Sequence, residues 1–353
     1  MKSILVVKFG AIGDVVMAIA AVRALVEEHD TVDWLCGPAV APLLACYPWI
    51  DPIHADDRAL FHGGTVSRLR EIVRIWMLLG RRRYDLCATL YYDARYRILT
   101  LPVRAGRKVH LDREDRNRRI LPGRPHSAEL VRILLPEEDG YALEQIAPLF
   151  PTLLPPSPLP PRRNPRIALV PAGASNMLRQ QTLRRWPVER YAALAQHLLA
   201  RGYEVVLIGG PDDLWARPAF AHLAGLHDTI GQLTLPQVVA AFEDSDLAVS
   251  HDTGPMHLAS VTHASILALF GPTDPGSFLP RRPGVRAIWG GEHLSCRPCY
   301  DGQNFAPCQH NGCMREIGVD MVLSQIEILL AERASGPKPW LILLPSTISE
   351  AKA

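Results

Sequence analysis

Eight prolines fall within residues 148–165, which read PLFPTLLPPSPLPPRRNP, and no other stretch limits the fold of this chain so tightly. Proline fixes φ and lacks an N–H donor, so neither a helix nor a central strand can cross this segment. It reads as an extended linker over 151–165, between an N-terminal unit at 1–150 and a C-terminal unit at 166–335. A chain of 353 residues also exceeds one comfortable hydrophobic core.

Both sides of the linker alternate strand and helix. Residues 3–8 (SILVVK) form a short, β-branched run suited to a buried parallel strand. A Gly-containing loop follows, then VVMAIAAVRALVEE at helical spacing. TVDWLC and DLCATL read as later strands, with a helix near 66–80. Past the linker, RIALVPAG is strand and loop, and PVERYAALAQHLLARG is a helix stopped by Gly202. YEVVLIGG and DLAVS are strands, GPMHLASVT opens a helix, and SILALFG is a strand. The expected architecture is α/β: two parallel-sheet domains, with ligands bound outside the carboxyl ends of the strands in a cleft. Residues 336–353 give no reading; packing on the other lobe, assembly and disorder stay open.

Hydrophobic residues make up 48% and charged residues 21%, as in a soluble globular protein. No run approaches the ~20 apolar residues of a membrane span. Lys8 and Asp14 interrupt the apolar start of the chain, so a strand and helix explain it better than a signal peptide. Seven cysteines without an export signal predict a cytoplasmic location. The net charge is +2, yet Arg81–Arg132 holds 14 Lys/Arg against 6 Asp/Glu, a local +8. That stretch is either a solvated surface or a funnel for an anionic partner.

Four constellations carry chemistry. Lys8-Phe9-Gly10-Ala11-Ile12-Gly13-Asp14 joins the first strand to its helix, and lacks the G-x-G-x-x-G dinucleotide spacing. Asp14 is either an N-terminal cap or a reactive carboxylate. His251-Asp252-Thr253-Gly254-Pro255-Met256-His257 opens a helix whose first N–H groups suit a diphosphate. Asp252 can accept from sugar hydroxyls or cap the helix, and His257 faces either the ligand or the core. Gly173, Ala174 and Ser175 form a strand-end loop, followed by Arg184-Arg185-Trp186-Pro187. Trp186-Pro187 is expected to pack and start the next helix. Gly209, Gly210, Asp212 and Asp213 form another such loop on the same lobe. Finally, Cys296, Cys299, Cys308 and Cys313 lie in one Gly/Pro/Asn-rich loop, as either a closed structural zinc or iron site or free thiols. Cys36, Cys46 and Cys87 read as core.

Taken in this order, ILVVKFGAIGDVVMAIAAVRAL, VPAGAS…RRWPVERYAALAQHL, VVLIGGPDD and DLAVSHDTGPMHLASVTHASILALFGPTDP resemble glycosyltransferase family 9, the ADP-heptose:lipopolysaccharide heptosyltransferases. The resemblance covers about residues 3–330 and is thinnest across 55–165. It implies the GT-B fold, two Rossmann-like parallel-sheet domains facing a central cleft. It also implies inverting transfer of L-glycero-D-manno-heptose from ADP-heptose to an acceptor hydroxyl. On that resemblance Asp14 is the base and Arg184 the cation at the leaving group. The donor residues are Gly13, Gly173, Ala174, Ser175, Asp213, Asp252, Thr253, Gly254, Pro255 and His257. The family usually has lysine where this chain has Arg184, and the stretch from Gly173 to Trp186 is longer than usual. Many members carry a cysteine motif of this kind, and one branch that modifies autotransporter adhesins binds iron through four such cysteines.

The implied partners are a nucleotide sugar, an anionic glycolipid acceptor and peripheral contact with the inner membrane. The chemistry itself requires no cofactor. A protein acceptor or another nucleotide sugar is the alternative within the same fold. A non-catalytic binding protein is the reading outside it. Nucleic acid is not expected, because no aromatic residues interleave with the arginines to stack bases.

Overall fold

The computed structural model describes residues 2–27, 30–91, 93–111, 130–131, 133–134, 147–176, 179–300 and 304–350. It divides into two compact units, Met1–Leu153 and Leu154–Ala353. Much of the basic stretch, 112–129 and 132, lies outside the described residues. No described helix is long and apolar enough to cross a membrane.

The first unit holds five strands: β1 (Ser3–Val7), β2 (Thr31–Cys36), β3 (Ile50–His54), β4 (Arg83–Thr89) and β5 (Arg104–His110). Every pairing is parallel and the order is β3-β2-β1-β4-β5. The strand order therefore reverses between β1 and β4, which leaves a crevice beyond their carboxyl ends. Helix α1 (Ile12–Arg23) is buried along most of its length, as VVMAIAAV demands. Three short or amphipathic helices follow: α2 (Ala41–Leu44), α3 (Asp57–Phe61) and α4 (Thr65–Leu79). With α5 (Ala94–Leu99), they complete the layers around the sheet. Leu5, Val7, Leu35, Ile75, Leu79 and Leu99 belong to the resulting core. Pro52 is tolerated because β3 is an edge strand. Cys36, Cys46 and Cys87 are buried; burial pushes the Cys36 thiol to about 12 and the Cys87 thiol to about 11.

The second unit opens with β6 (Arg166–Val170), a small antiparallel pair β7 (Ser175–Asn176) and β8 (Arg179–Gln180), and helix α6 (Val188–Ala200). Strands β9 (Glu204–Leu207) and β10 (His227–Asp228) are followed by α7 (Leu235–Glu243), β11 (Leu247–His251) and α8 (Gly254–Ser260). Next come β12 (Ser265–Phe270), α9 (Pro275–Phe278), β13 (Val285–Trp289), α10 (Gly312–Glu316), α11 (Val319–Ser335), β14 (Leu341–Leu343) and α12 (Pro345–Glu350). The large sheet runs β10-β9-β6-β11-β12-β13-β14, again all parallel. Its reversal falls between β6 and β11. Those two strands and β12 are buried at every residue. Residues 341–350 join this unit, with Ile348 in its core.

Two buried polar groups brace the ends of the central strands. At the start of β6 the fully buried Arg166 bonds Glu204 and Asp244 and donates to the Pro160 carbonyl, drawing the end of the proline stretch onto the sheet. At the end of β11 the Tyr191 hydroxyl meets His251 Nδ1 at 3.2 Å, with both side chains fully buried. Burial, and then the Arg185 and Arg184 cations, lower the His251 pKa from 6.5 to about 3.

A pH dependence of stability follows. Between about pH 6.5 and pH 3 the unfolded chain binds the proton that folded His251 refuses. His251 therefore supports the fold fully above that window and progressively less as pH falls through it. Urea midpoints are expected to drop between about pH 7.5 and pH 4.5, and less steeply in His251→Asn. Identical slopes in the two proteins would show that His251 is not the group responsible. Replacing Arg166 with Met strands Glu204 and Asp244, and is expected to cost about 3 kcal/mol in the same assay. An unchanged midpoint would remove Arg166 from the account.

Candidate active site

The loop after β1 ends on Asp14. In α1 the N-cap is Ala11, and no side chain caps the helix. Asp14 lies in the first turn, and its Oδ2 meets Lys8 Nζ at 2.9 Å. The capping alternative for Asp14 is thereby set aside. Lys8 is 3% exposed, an unusual place for an ammonium without a partner. Its Nζ also sits 4.9 Å from the Tyr91 ring centroid, and Trp34 Nε1 donates to its carbonyl at 3.1 Å. The Asp14 side chain keeps about a third of its surface, so a carboxylate faces solvent from a fixed, charged support. Gly13 is buried within α1 beside it.

The loops after β6, β9 and β11 in the second unit are tied together by side chains from one another. Asp213 uses one oxygen for the Gly173 amide and the other for the Gly210 amide, both at 2.8 Å. Thr253 does not cap α8; its Oγ1 accepts from the Ala174 amide at 2.8 Å. Gly173 has φ +94°, and a Cβ there would lie 2.7 Å from Thr253 Oγ1, so the approach admits only glycine. Ala174, at φ 53°, accepts a left-handed conformation that alanine disfavours, next to an exposed Ser175. Such strain concentrates at binding loops. Asp213 thus shapes the loop with both oxygens.

Asp252 is almost fully buried at the end of β11. It accepts from Thr273 Oγ1 at 2.7 Å and pairs with Arg184 Nη1 at 3.3 Å. Arg184 itself lies among three aromatic rings, 5.0–5.8 Å from the centroids of Tyr300, Phe305 and Phe278. Its Nε is buried without a hydrogen-bond partner among the described residues. A guanidinium with an unused donor next to one carboxylate is suited to an incoming anion. Arg185 donates to the Gly173 carbonyl at 2.8 Å and stacks 4.8 Å from the Trp215 ring centroid. Gly254 and Pro255, partly exposed, begin α8, while His257 is buried one turn on. Trp186 packs as expected, donating to the Ile317 carbonyl at 2.9 Å. Thr273 and the three rings gave no signal in the sequence, because they reach Asp252 and Arg184 from segments 21 to 121 residues away.

The four-cysteine metal site that the spacing suggests finds no support in the structure. Among the described residues no three His, Cys, Asp or Glu side chains make a group that could hold a metal ion. Cys313 is spent on packing: a Cβ at Gly271 would lie 2.8 Å from its Sγ, and one at Gly290 2.0 Å from its carbonyl. Burial, and then the neighbouring Cys299, Cys308 and Cys296 thiols, push its pKa up to about 11. Cys296 and Cys308 are exposed, and Cys299 is partly buried with its pKa also raised by burial. The four thiols lie near enough to raise the Cys299 and Cys313 pKa values, yet among the described residues they do not come together as a group that could hold a metal ion.

Residues 161–310 match the model of glycosyltransferase family 9 (heptosyltransferase). Lipopolysaccharide heptosyltransferase 3 of Escherichia coli is 29% identical over 119 residues, 32% of this chain. The match spans about a third of that relative's length, 35%. The lipopolysaccharide core heptosyltransferase OpsX of Haemophilus influenzae is 23% identical over 305 residues, 78% of this chain and 80% of the relative. Among solved structures, the E. coli ADP-heptose lps heptosyltransferase II superposes with a TM-score of 0.69 at 21% identity. That superposition covers 95% of this chain and all of the other, and it establishes the fold, two parallel-sheet α/β domains of the GT-B class. The strand-end loops of the second unit lie inside the segment that matches the glycosyltransferase family 9 model.

Proposed function

We propose that this chain transfers a heptosyl group, with inversion, from ADP-L-glycero-D-manno-heptose to a hydroxyl of the lipopolysaccharide core. The observation that carries the reading is Arg184, caged by aromatic rings with an unused Nε beside Asp252 and the strained Gly173–Ser175 loop. Similarity to the heptosyltransferase family model supports the sugar. Relatives with heptosyltransferase names support the lipopolysaccharide acceptor.

In this mechanism the Asp14 carboxylate takes the acceptor O–H proton as the oxygen attacks the anomeric carbon. The bond from that carbon to the diphosphate breaks, and its electron pair leaves with ADP. Charge on the departing phosphate grows in the oxocarbenium-like transition state, where fixed donors act most strongly. Arg184 and Arg185 supply positive charge there, and the Gly173 and Ala174 loop, held by Asp213 and Thr253, sets the shape of the phosphate pocket. Gly13, Ser175, Gly254, Pro255 and His257 complete the proposed donor contacts. Asp252 holds Arg184 and is available to the sugar hydroxyls. Lys8 orients Asp14. The reading carries with it an enzyme of the cytoplasm, working at the inner face of the inner membrane.

Two substitutions test the division of labour. Asp14→Asn is expected to bind ADP-heptose with unchanged affinity and to lose about 10²–10⁴-fold in turnover. Weakened donor binding in that variant would mean that Asp14 is part of the donor site instead. Arg184→Met is expected to lose about 10²–10³-fold in kcat, with ADP binding weakened as well. Calorimetry with ADP-, UDP- and GDP-sugars tests the assignment as a whole, because failure to bind any of them sinks the transferase reading.

A further inference from the structure

Helix α4 is apolar on two faces. Its Ile75 and Leu79 are buried in the first unit, and Ile72 packs against the same core. On the opposite side Val66, Leu69, Val73 and Met77 stand in solvent, with exposures of 82, 59, 40 and 59%. Their spacing of three and four residues draws one continuous stripe along the helix. A helix at a protein surface ordinarily turns charge to water on that side, and an apolar strip there marks a contact. The stripe extends across α5: Trp76 Nε1 donates to the Ile98 carbonyl at 2.8 Å, and Ile98 and Leu101 are 41 and 63% exposed.

The charge beside the stripe has one sign. From Val66 to Arg83 there are six arginines and a single acid, Glu71. Glu71 is turned into the protein, where it holds Arg74 and the Asp56 amide. Arg82 is paired with Asp33. Arg70, Arg81 and Arg83 are exposed, and their side chains make no hydrogen bond or ion pair among the described residues. Arg70 projects within about 40° of Val66 and Met77 around the helix axis.

We propose that this face of α4 docks the chain on an anionic lipid bilayer. The stripe enters the boundary between headgroups and acyl chains, and Arg70, Arg81 and Arg83 lie at the level of the lipid phosphates. A second copy of the chain is the poorer occupant. A two-fold contact through this face would set the same arginines against each other. The proposal deepens the transferase reading, from which it takes only the place at the membrane, by naming the face that meets the lipid; it needs neither donor nor acceptor and stands or falls without them.

Flotation of the full chain with vesicles tests it, using phosphatidylglycerol with phosphatidylethanolamine in one arm and phosphatidylcholine alone in the other. Capture is expected on the anionic vesicles only, and largely lost in about 0.5 M salt. An arginine at an anionic surface is worth about fivefold in partitioning, so Arg70→Gln/Arg81→Gln/Arg83→Gln should bind at least tenfold more weakly. Leu69→Asp/Met77→Asp should do the same through the stripe. Both variants change exposed positions and should keep the wild-type thermal midpoint, which separates lost docking from lost folding. Absence of anionic-vesicle capture by the wild type overturns the proposal, as does undiminished capture by both variants. A wild-type dimer that Leu69→Asp/Met77→Asp makes monomeric, without vesicle capture, would give the face to a second copy.

Discussion

A parallel strand covered on both faces can carry polar groups only at its ends. Strands β6, β11 and β12 are buried at every residue, so charge in the second unit collects where the strands stop. At the entry end of β6 it takes the form of Arg166 with Glu204 and Asp244, which is closed and structural. At the exit ends it takes the form of Asp213, Thr253, Asp252 and Arg184, which tie three loops into one surface. The reversal of strand order beside β6 leaves that surface without a crossing connection. The first unit obeys the same rule around β1, with Lys8 and Asp14 at its exit.

The two exits differ in which charged groups they hold and how far those groups reach solvent. In the first unit a buried ammonium holds a carboxylate that still reaches solvent, so the group on offer is a proton acceptor. The carboxylates of the second unit are largely consumed by amides, a hydroxyl and a guanidinium. What remains on offer there is a donor on Arg184. Aromatic rings on three sides hold that guanidinium while accepting none of its hydrogen bonds, which preserves its capacity for an anion.

The buried strands were legible because they are short, largely apolar runs: SILVV, TVDWLC, RIALV and SILALF all stand where the pattern predicts. The edge strands were not. IDPIH carries a proline, RAGRKVH holds three cations in seven residues, and LIL is three residues long. Each relies on a neighbouring strand more than on its own pattern. Site residues followed the same division. Glycine loops and acidic residues at strand ends could be read locally, whereas the ring cage around Arg184 depends on contacts across more than ninety residues. The cysteine spacing is matched by no metal-holding group among the described residues. Close packing of α10 against Gly271, Gly290 and Gly291 claims Cys313, and no local spacing rule registers that.

Strand β14 is the last of the seven, and it pairs with only three residues of β13. It is followed at once by α12, which anchors Ile348 in the core. A long bare edge at β13 would offer its backbone groups to any other extended chain. The terminal segment replaces that edge with one too short to recruit a partner strand. Removing residues 336–350 would therefore do more than shorten the protein: it would uncover a template for intermolecular β-pairing and turn a guarded sheet into an aggregating one.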